Sequence, residues 1–196
     1  MISIIYINLN SIFYCLESMS SNTKMLLVIW HSRTSASEQA ALAATMAARA
    51  TIDELLTLED STQHHGKYRV LLRKSSDVTL DELLHAQGYL FCAPENLASL
   101  SGQMKEFFDS FYYDLLGKIE GRYYSAIIAA GTDGAGALKQ LERICTGWRL
   151  NQAVPAVILN TASASEEEIR AKKQLSPEQI AQAEEIGSTL IALLSS

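Results

Sequence analysis

Residues 25–39 read MLLVIWHSRTSASEQ, and this stretch predicts the first unit of the fold. Residues 25–30 form an unbroken apolar run, which is typical of a strand buried on both faces of a parallel sheet. A polar loop, residues 31–37, leads into an alanine-rich helical segment that begins near Glu38. Ser35 and Glu38 have the spacing of a capping box, which marks a helix start. The stretch therefore predicts a strand, a polar turn and a helix.

The same alternation of strand and helix continues to the end of the chain. Strands that alternate with helices form a parallel sheet covered on both faces, so we predict one α/β domain over residues 25–196. The five predicted strands are residues 25–30, 68–73, 88–93, 123–130 and 154–159. The predicted helices cover residues 38–57, 79–87, 101–113, 137–148, a short stretch from 165, and 176–194.

Residues 1–24 differ from this pattern. They carry one acid, Glu17, and one base, Lys24, and Asn8, Asn10 and Ser11 interrupt an apolar run that is too short to span a membrane. We predict an N-terminal extension outside the fold. The alternatives are an extra edge strand or helix packed on the domain, or a weak secretion signal without the usual basic start and cleavage site.

The composition excludes several classes of function. The 196 residues include 16 basic and 22 acidic side chains, and the net charge of −6 would repel the phosphates of a nucleic acid. Cys15, Cys92 and Cys145 are far apart, which predicts no disulfide framework and fits a reducing cytoplasm. His64 and His65 have no further ligands near them in sequence, so no metal site is predicted.

Three loops are the candidate ligand site, because open parallel sheets bind ligands at the carboxyl ends of strands where the strand order reverses. Residues 32–37 offer four hydroxyl groups at a helix N-terminus, which suits a phosphate monoester but is also found in ordinary polar loops. Residues 94–102 begin with Pro94, which cannot extend a sheet ladder, and can present backbone amides to a flat heterocycle. Residues 131–136 contain three glycines, which allow close backbone contact with a ligand.

Together these loops show a family resemblance. Residues 94–109, PENLASLSGQMKEFFD, resemble the P-E-Y-N-x-S-x-P/S-G-x-L-K segment of flavodoxin-like NAD(P)H-dependent FMN reductases and quinone reductases. Residues 129–136, AAGTDGAG, resemble the family's S/A-x-G-x-x-G-G/A loop, and residues 32–37 resemble the flavodoxin phosphate loop T/S-x-T-G-x-T. Asn96 departs from the pattern, because it replaces the usual aromatic residue. The phosphate loop also lacks its glycine, with Ala36 in that place.

The resemblance implies a flavodoxin-like three-layer sandwich with a five-stranded parallel sheet in the order 2-1-3-4-5. It also implies bound FMN, with NADH or NADPH as a transient electron donor and a quinone, flavin or other small molecule as acceptor. No catalytic acid or base is implied, because the cofactor carries the chemistry. By position, the phosphate would be held by Ser32, Thr34, Ser35, Ala36 and Ser37, the isoalloxazine would meet Pro94, Glu95, Asn96, Leu97 and Ala98, and its pyrimidine side would be closed by Gly131, Thr132, Asp133 and Gly134.

Three functions remain open at this point. The first is a cytoplasmic FMN-dependent oxidoreductase, the second is a one-electron carrier of the flavodoxin type, and the third is a flavodoxin-like binding module without flavin. The aromatic helix with Phe107, Phe108 and Phe111 could fill the core or form a dimer surface. We predict a homodimer with the flavin pocket close to its interface, and no insertion into a membrane.

Overall fold

A central parallel sheet organises the residues that the computed structural model describes, which are 23–58 and 67–195. The strands are β1 Lys24–Trp30, β2 Tyr68–Lys74, β3 Gly88–Asn96, β4 Ser99–Leu100, β5 Tyr123–Ala130, β6 Asn151–Gln152 and β7 Val157–Asn160. The helices are α1 Ala36–Leu58, α2 Leu80–His85, α3 Gly102–Leu115, α4 Ala135–Gly147, α5 Glu166–Arg170 and α6 Pro177–Ser195.

The order of the long strands confirms the prediction. β1 pairs in parallel with β2 and β3, and β3 pairs in parallel with β5. Of the last predicted strand, residues 154–159, only residues 157–159 lie in a strand, β7, and the two-residue β6 precedes the predicted range. β6 and β7 pair with different parts of β5. Pro155 lies between them and has no N–H to donate, which explains why the ladder is interrupted there.

The two faces of the sheet bury different kinds of side chain. On one face, Phe91 lies at the centre of an aromatic core, and its ring centroid is 5.0 Å from that of Phe108. On the other face, α1 and α6 cover the sheet with small side chains such as Ala40 and Ala44. Helices therefore cover both faces, as predicted for a three-layer sandwich.

The aromatic helix α3 belongs to the core, which corrects part of the dimer prediction. Phe107 and Phe108 are 3% and 1% exposed, and both pack against Trp148. They cannot contact a second subunit while they are buried. The exposed large apolar side chains of this region are instead Tyr112, Tyr113 and Leu116, which are 39%, 81% and 49% exposed.

The described fold begins close to the predicted position. The strand predicted from residue 25 begins one residue earlier, at Lys24, which pairs with Tyr68. The predicted extension otherwise falls on residues 1–22, which lie outside the described residues, so it stays a prediction. Each helix within residues 23–58 and 67–195 is too short or too polar to span a lipid bilayer.

Candidate functional site

The three predicted loops lie at one edge of the sheet, where β1, β3 and β5 end. We name them the β1–α1 loop (residues 31–35), the β3–β4 hairpin (residues 95–100) and the β5–α4 loop (residues 131–134). The chain leaves β1 for β2 on one side and returns to β3 on the other, so the strand order reverses between β1 and β3. This is the position at which open α/β sheets bind ligands.

The β1–α1 loop contains a residue in an unusual conformation. Ser35 has a φ of 73°, in the left-handed region that glycine favours. For a residue other than glycine, this conformation is unfavourable by about 1–2 kcal/mol. The position that lacks its glycine is therefore Ser35, and not Ala36, which is buried as the first residue of α1. The left-handed φ also differs from the extended backbone of a capping serine, so the predicted capping box with Glu38 is wrong.

The hydroxyl groups of this loop lie around the N-terminus of a 23-residue helix. Ser32, Thr34 and Ser35 are half-buried. Ser37 is fully buried, and its Oγ has no hydrogen-bond partner among the described residues. The helix end adds backbone N–H donors and a partial positive charge, so this donor set suits a phosphate group.

His31 connects the β1–α1 loop to the start of α3. Its side-chain Nδ1 lies 2.7 Å from the Oγ of Ser101, and its backbone N–H donates to the carbonyl oxygen of Cys92. Burial, and then the nearby guanidinium of Arg33, hold the pKa of His31 below its ordinary value of 6.5. Ser101 is the N-cap residue of α3, but its hydroxyl bonds His31 and makes no capping hydrogen bond to the helix.

His31 predicts a loss of stability in mild acid. Because its pKa is lower in the folded protein, the unfolded chain takes up the proton first as the pH falls through 6.5. The free energy of unfolding should therefore decrease between pH 7.5 and pH 5, and His31→Asn, which cannot titrate, should show a smaller decrease. Urea unfolding at several pH values measures both slopes, and equal slopes would contradict the prediction.

The β3–β4 hairpin replaces the loop predicted after Pro94. β3 continues through Pro94 to Asn96, and Asn96 then pairs with Ser99 of β4 in antiparallel fashion. The backbone nitrogen of Pro94 faces the side of β3 on which β1 lies. Because β1 ends opposite Cys92, no hydrogen bond of the β1–β3 ladder is lost at Pro94. The prediction that Pro94 ends the strand is therefore wrong.

The tip of the hairpin is strained and exposed. Leu97 and Ala98 have φ values of 52° and 58°, as in the two-residue turns that normally contain Asn and Gly. Leu97 is also fully exposed to solvent. The tip therefore presents one apolar side chain at the edge of the candidate site.

Glu95 joins the hairpin to the β5–α4 loop. Its Oε2 accepts a hydrogen bond of 2.9 Å from the N–H of Gly134. Its Oε1 is buried and has no partner within residues 23–58 and 67–195. Glu95 therefore holds two of the three loops together and keeps one acceptor atom for another donor.

The glycines of the third segment serve contacts within the protein. A Cβ on Gly131 would lie 2.8 Å from the carbonyl oxygen of Ser163, and one on Gly136 would lie 2.3 Å from that of Ala98. Gly134 has a φ of 79°, and Asn160 donates to the carbonyl of Thr132. Asp133 accepts from the N–H of Ala135 at 3.2 Å. The sequence predicts that these glycines allow close contact with a ligand. In the structure, Gly136 allows close contact with the hairpin, and Gly131 allows close contact with Ser163.

Comparisons with known proteins support the fold. No model of a protein family matches the chain. Over 67 residues the chain is 34% identical to a flavodoxin from Aquifex aeolicus (strain VF5), and this match covers 34% of the chain and 36% of that relative. The chain thus spans about a third of the length of this curated relative.

Solved structures match nearly the whole domain. A flavodoxin from the domain Archaea has a TM-score of 0.64 at 13% identity and covers 88% of this chain and 99% of its own. The flavodoxin, WrbA-like protein from Agrobacterium tumefaciens has the same score and identity and covers 88% and 98%. Rubredoxin oxygen:oxidoreductase from Desulfovibrio gigas has a TM-score of 0.64 at 11% identity and covers 90% of this chain and 38% of its own. These likenesses confirm the flavodoxin-like fold.

Proposed function

We propose that this protein binds FMN between β1 and β3 and acts as an oxidoreductase that passes electrons from NADH or NADPH to a quinone, a flavin or another small acceptor. The observation that carries the proposal is the joining of the three loops at the edge where the strand order reverses. His31 bonds Ser101, 70 residues later, and Glu95 bonds Gly134, 39 residues later. Segments that resemble the parts of one FMN site are thus neighbours in space.

The β1–α1 loop fits the phosphate of FMN. Hydroxyl groups from Ser32, Thr34 and Ser35 accompany the free N–H groups at the start of α1. Arg33 is exposed beside them and adds a positive charge. Ser37 has a buried hydroxyl that lacks a partner among the described residues, and such groups are rare in folded proteins. A dianionic phosphate is the group that this donor set would bind best.

The hairpin and the β5–α4 loop fit the ring system. Glu95 Oε1 is a buried acceptor, and the isoalloxazine carries an N–H at its pyrimidine edge that could donate to it. Asn96, Leu97 and Ala98 supply an amide and apolar surface but no stacking ring. The exposed tip at Leu97 leaves this edge accessible to a nicotinamide or an acceptor.

FMN, when bound, would supply the hydride and single-electron chemistry. The residues of this chain bind and orient it. The β1–α1 loop would hold the phosphate, and the hairpin and the β5–α4 loop would hold the ring system. No residue of the site is needed to donate or abstract a proton.

The test is to measure flavin binding and turnover on the purified protein. We expect a yellow protein with flavin absorbance, or tight FMN uptake by protein freed of cofactor. Steady oxidation of NADH or NADPH with a quinone should then follow. Protein that fails to take up added FMN would overturn the proposal.

An electron carrier of the flavodoxin type is the second candidate. It is favoured by the flavodoxins among the similar proteins, including the one that is 34% identical over 67 residues. The two candidates share FMN binding and differ in turnover. Bound FMN that is not reduced by NADH or NADPH at a useful rate would favour the carrier.

We also propose that the protein is a homodimer and that it is located in the cytoplasm. With Phe107 and Phe108 buried, the exposed large apolar side chains that the described part of this region offers to a second subunit are Tyr112, Tyr113 and Leu116. Cys92 and Cys145 are free thiols in the interior, which is the pattern expected in a reducing compartment. Light scattering on the purified protein measures the oligomeric state.

Gly136→Ala should weaken FMN binding through the hairpin. The new Cβ would lie 2.3 Å from the carbonyl oxygen of Ala98, which is backbone and can yield only if the hairpin moves. We expect an FMN Kd about tenfold higher, a change of ~1.4 kcal/mol. Gly102→Ala is the matched control, because its Cβ meets no described atom within 4 Å. Equal affinities of the two variants in an FMN titration would contradict the role given to the hairpin.

A further inference from the structure

We propose that Gln39 is a positioning residue that clamps the β1–α1 loop to the connection between α5 and α6, and thereby sets the preference of the site for a phosphate-bearing flavin. The inference rests on the proposed function. It assigns a role to Gln39 and to residues 171–175, none of which belongs to the three loops that resemble a known family.

Both the amino group and the carbonyl oxygen of the Gln39 side-chain amide form hydrogen bonds. Its Nε2 lies 3.2 Å from the carbonyl oxygen of Ser35 and 2.8 Å from that of Lys173. Its Oε1 accepts from the N–H of Leu175 at 3.2 Å. One side chain thus joins the loop before α1 to a segment more than 130 residues away in sequence.

A backbone bond completes the clamp. The N–H of Lys173 donates to the carbonyl oxygen of Thr34 at 2.7 Å, and the N–H of Gln39 donates to Ser35 at 3.0 Å. The carbonyl groups of two consecutive loop residues, Thr34 and Ser35, are therefore both fixed. Since each carbonyl lies in the same rigid peptide plane as the following N–H, the N–H groups of Ser35 and Ala36 are fixed as well.

The segment behind the clamp is itself anchored. Leu175 is 4% exposed and packs in the core between the sheet, α1 and α6. Lys173 Nζ caps the end of α5 by donating to the carbonyl oxygen of Ala171 at 3.0 Å. Ser176 and Gln179 bond each other at the start of α6, at 3.0 Å and 3.3 Å. The clamp therefore holds the loop against a segment that is anchored in the core at Leu175.

The clamp matters because of Ser35. A serine with a φ of 73° relaxes toward an ordinary conformation unless its surroundings hold it. Of the two hydrogen bonds that Gln39 makes to the carbonyl of Ser35, the one from Nε2 at 3.2 Å depends on the side chain, which also ties Ser35 to Lys173. When the Gln39 side chain is lost, Ser35 should leave the left-handed region, and the loop N–H groups should turn away from the phosphate position. On the proposed function, the rest of the flavin would be held by the hairpin and the β5–α4 loop, to which the clamp makes no hydrogen bond.

The experiment compares FMN with riboflavin, which lacks the phosphate. Gln39→Met keeps the length of the side chain and removes its hydrogen bonds. We expect it to raise the FMN Kd about tenfold and to leave the riboflavin Kd unchanged within about twofold. Gln182→Met, on the exposed face of α6, is the matched control and should change neither Kd.

A glycine rescue separates this role from a general structural one. Ser35→Gly allows the left-handed conformation without a clamp, so the double variant Gln39→Met/Ser35→Gly should regain most of the lost FMN affinity. Equal losses for FMN and riboflavin, or no recovery with glycine, would overturn the proposal.

A second readout does not depend on flavin. If the wild-type protein binds neither FMN nor riboflavin, the proposed function fails, and the clamp is tested by hydrogen exchange. The N–H groups of Lys173 and Leu175 donate to Thr34 and Gln39, so in Gln39→Met they should exchange about tenfold faster than in Gln182→Met. Unchanged exchange at both would show that Gln39 does not hold the two segments together.

Discussion

Ser35→Glu is expected to abolish FMN binding. The carboxylate would enter the β1–α1 loop at the residue whose left-handed conformation shapes the N-terminus of α1. Two unit charges 4 Å apart repel each other by about 4 kcal/mol at an effective dielectric constant of 20, and the phosphate carries up to two. The Kd for FMN should therefore rise by about three orders of magnitude.

Two variants at the same position control for effects other than charge. Ser35→Gln has nearly the size of glutamate without its charge, and it should bind FMN far better than Ser35→Glu. Ser35→Gly relieves the backbone strain but removes one hydroxyl donor, so its FMN affinity should stay far above that of Ser35→Glu. Added salt should recover part of the affinity of Ser35→Glu because it screens exposed charges. Binding is measured by quenching of flavin fluorescence, and full FMN binding by Ser35→Glu would place the phosphate elsewhere.

The sheet could be predicted from the sequence because burial leaves a local signal. A strand covered on both faces reads as a continuous apolar run, as in residues 25–30, and the alternation with helices then requires parallel pairing. The place of the site followed from the same argument, since parallel strands end at one edge. These inferences need only the residues within each element and their order along the chain.

The hairpin could not be predicted because its signal is not local. β4 has only two residues, Ser99 and Leu100, and Pro94 suggests a strand end unless the end of β1 is known. The left-handed conformation lies at Ser35 and not at Ala36, where the resemblance places the missing glycine, and the sequence does not show this φ angle. In each case the deciding fact is a neighbour across the sheet or a backbone angle.

The links between the loops were missed for a related reason. Gln39 in the first turn of α1 has the sequence context of a surface residue, and its partner Lys173 is 134 residues away. His31 directly follows a strand at the point where strand order reverses, which is a signal, but only the fold brings it to Ser101. Periodicity likewise identified the apolar face of α3 without showing that Phe108 meets Trp148 of the same chain.

Gly187→Ala is expected to cause a large loss of stability. Gly187 lies on the face of α6 that packs against α1, and a Cβ there would be 2.1 Å from the carbonyl oxygen and 2.8 Å from the Cα of Ala44. These atoms are backbone, so α1 and α6 would have to separate. Separation would loosen contacts of the buried side chains of Ala40, Ala48 and Leu190. We expect a loss of ~3 kcal/mol or more in the free energy of unfolding, at the upper end for overpacked cores.

Gly147→Ala is the matched control for this substitution. It also places a methyl group on a helix, at the end of α4, but its Cβ meets no described atom within 4 Å. Its stability should be unchanged or slightly higher, because alanine restricts the unfolded chain more than glycine does. For a domain of this size the two variants should differ in Tm by roughly 6–12 °C, measurable by thermal or urea unfolding. Similar stabilities would mean that α1 and α6 do not approach as closely as the structure has them, and the position of α1 also sets the β1–α1 loop and Gln39.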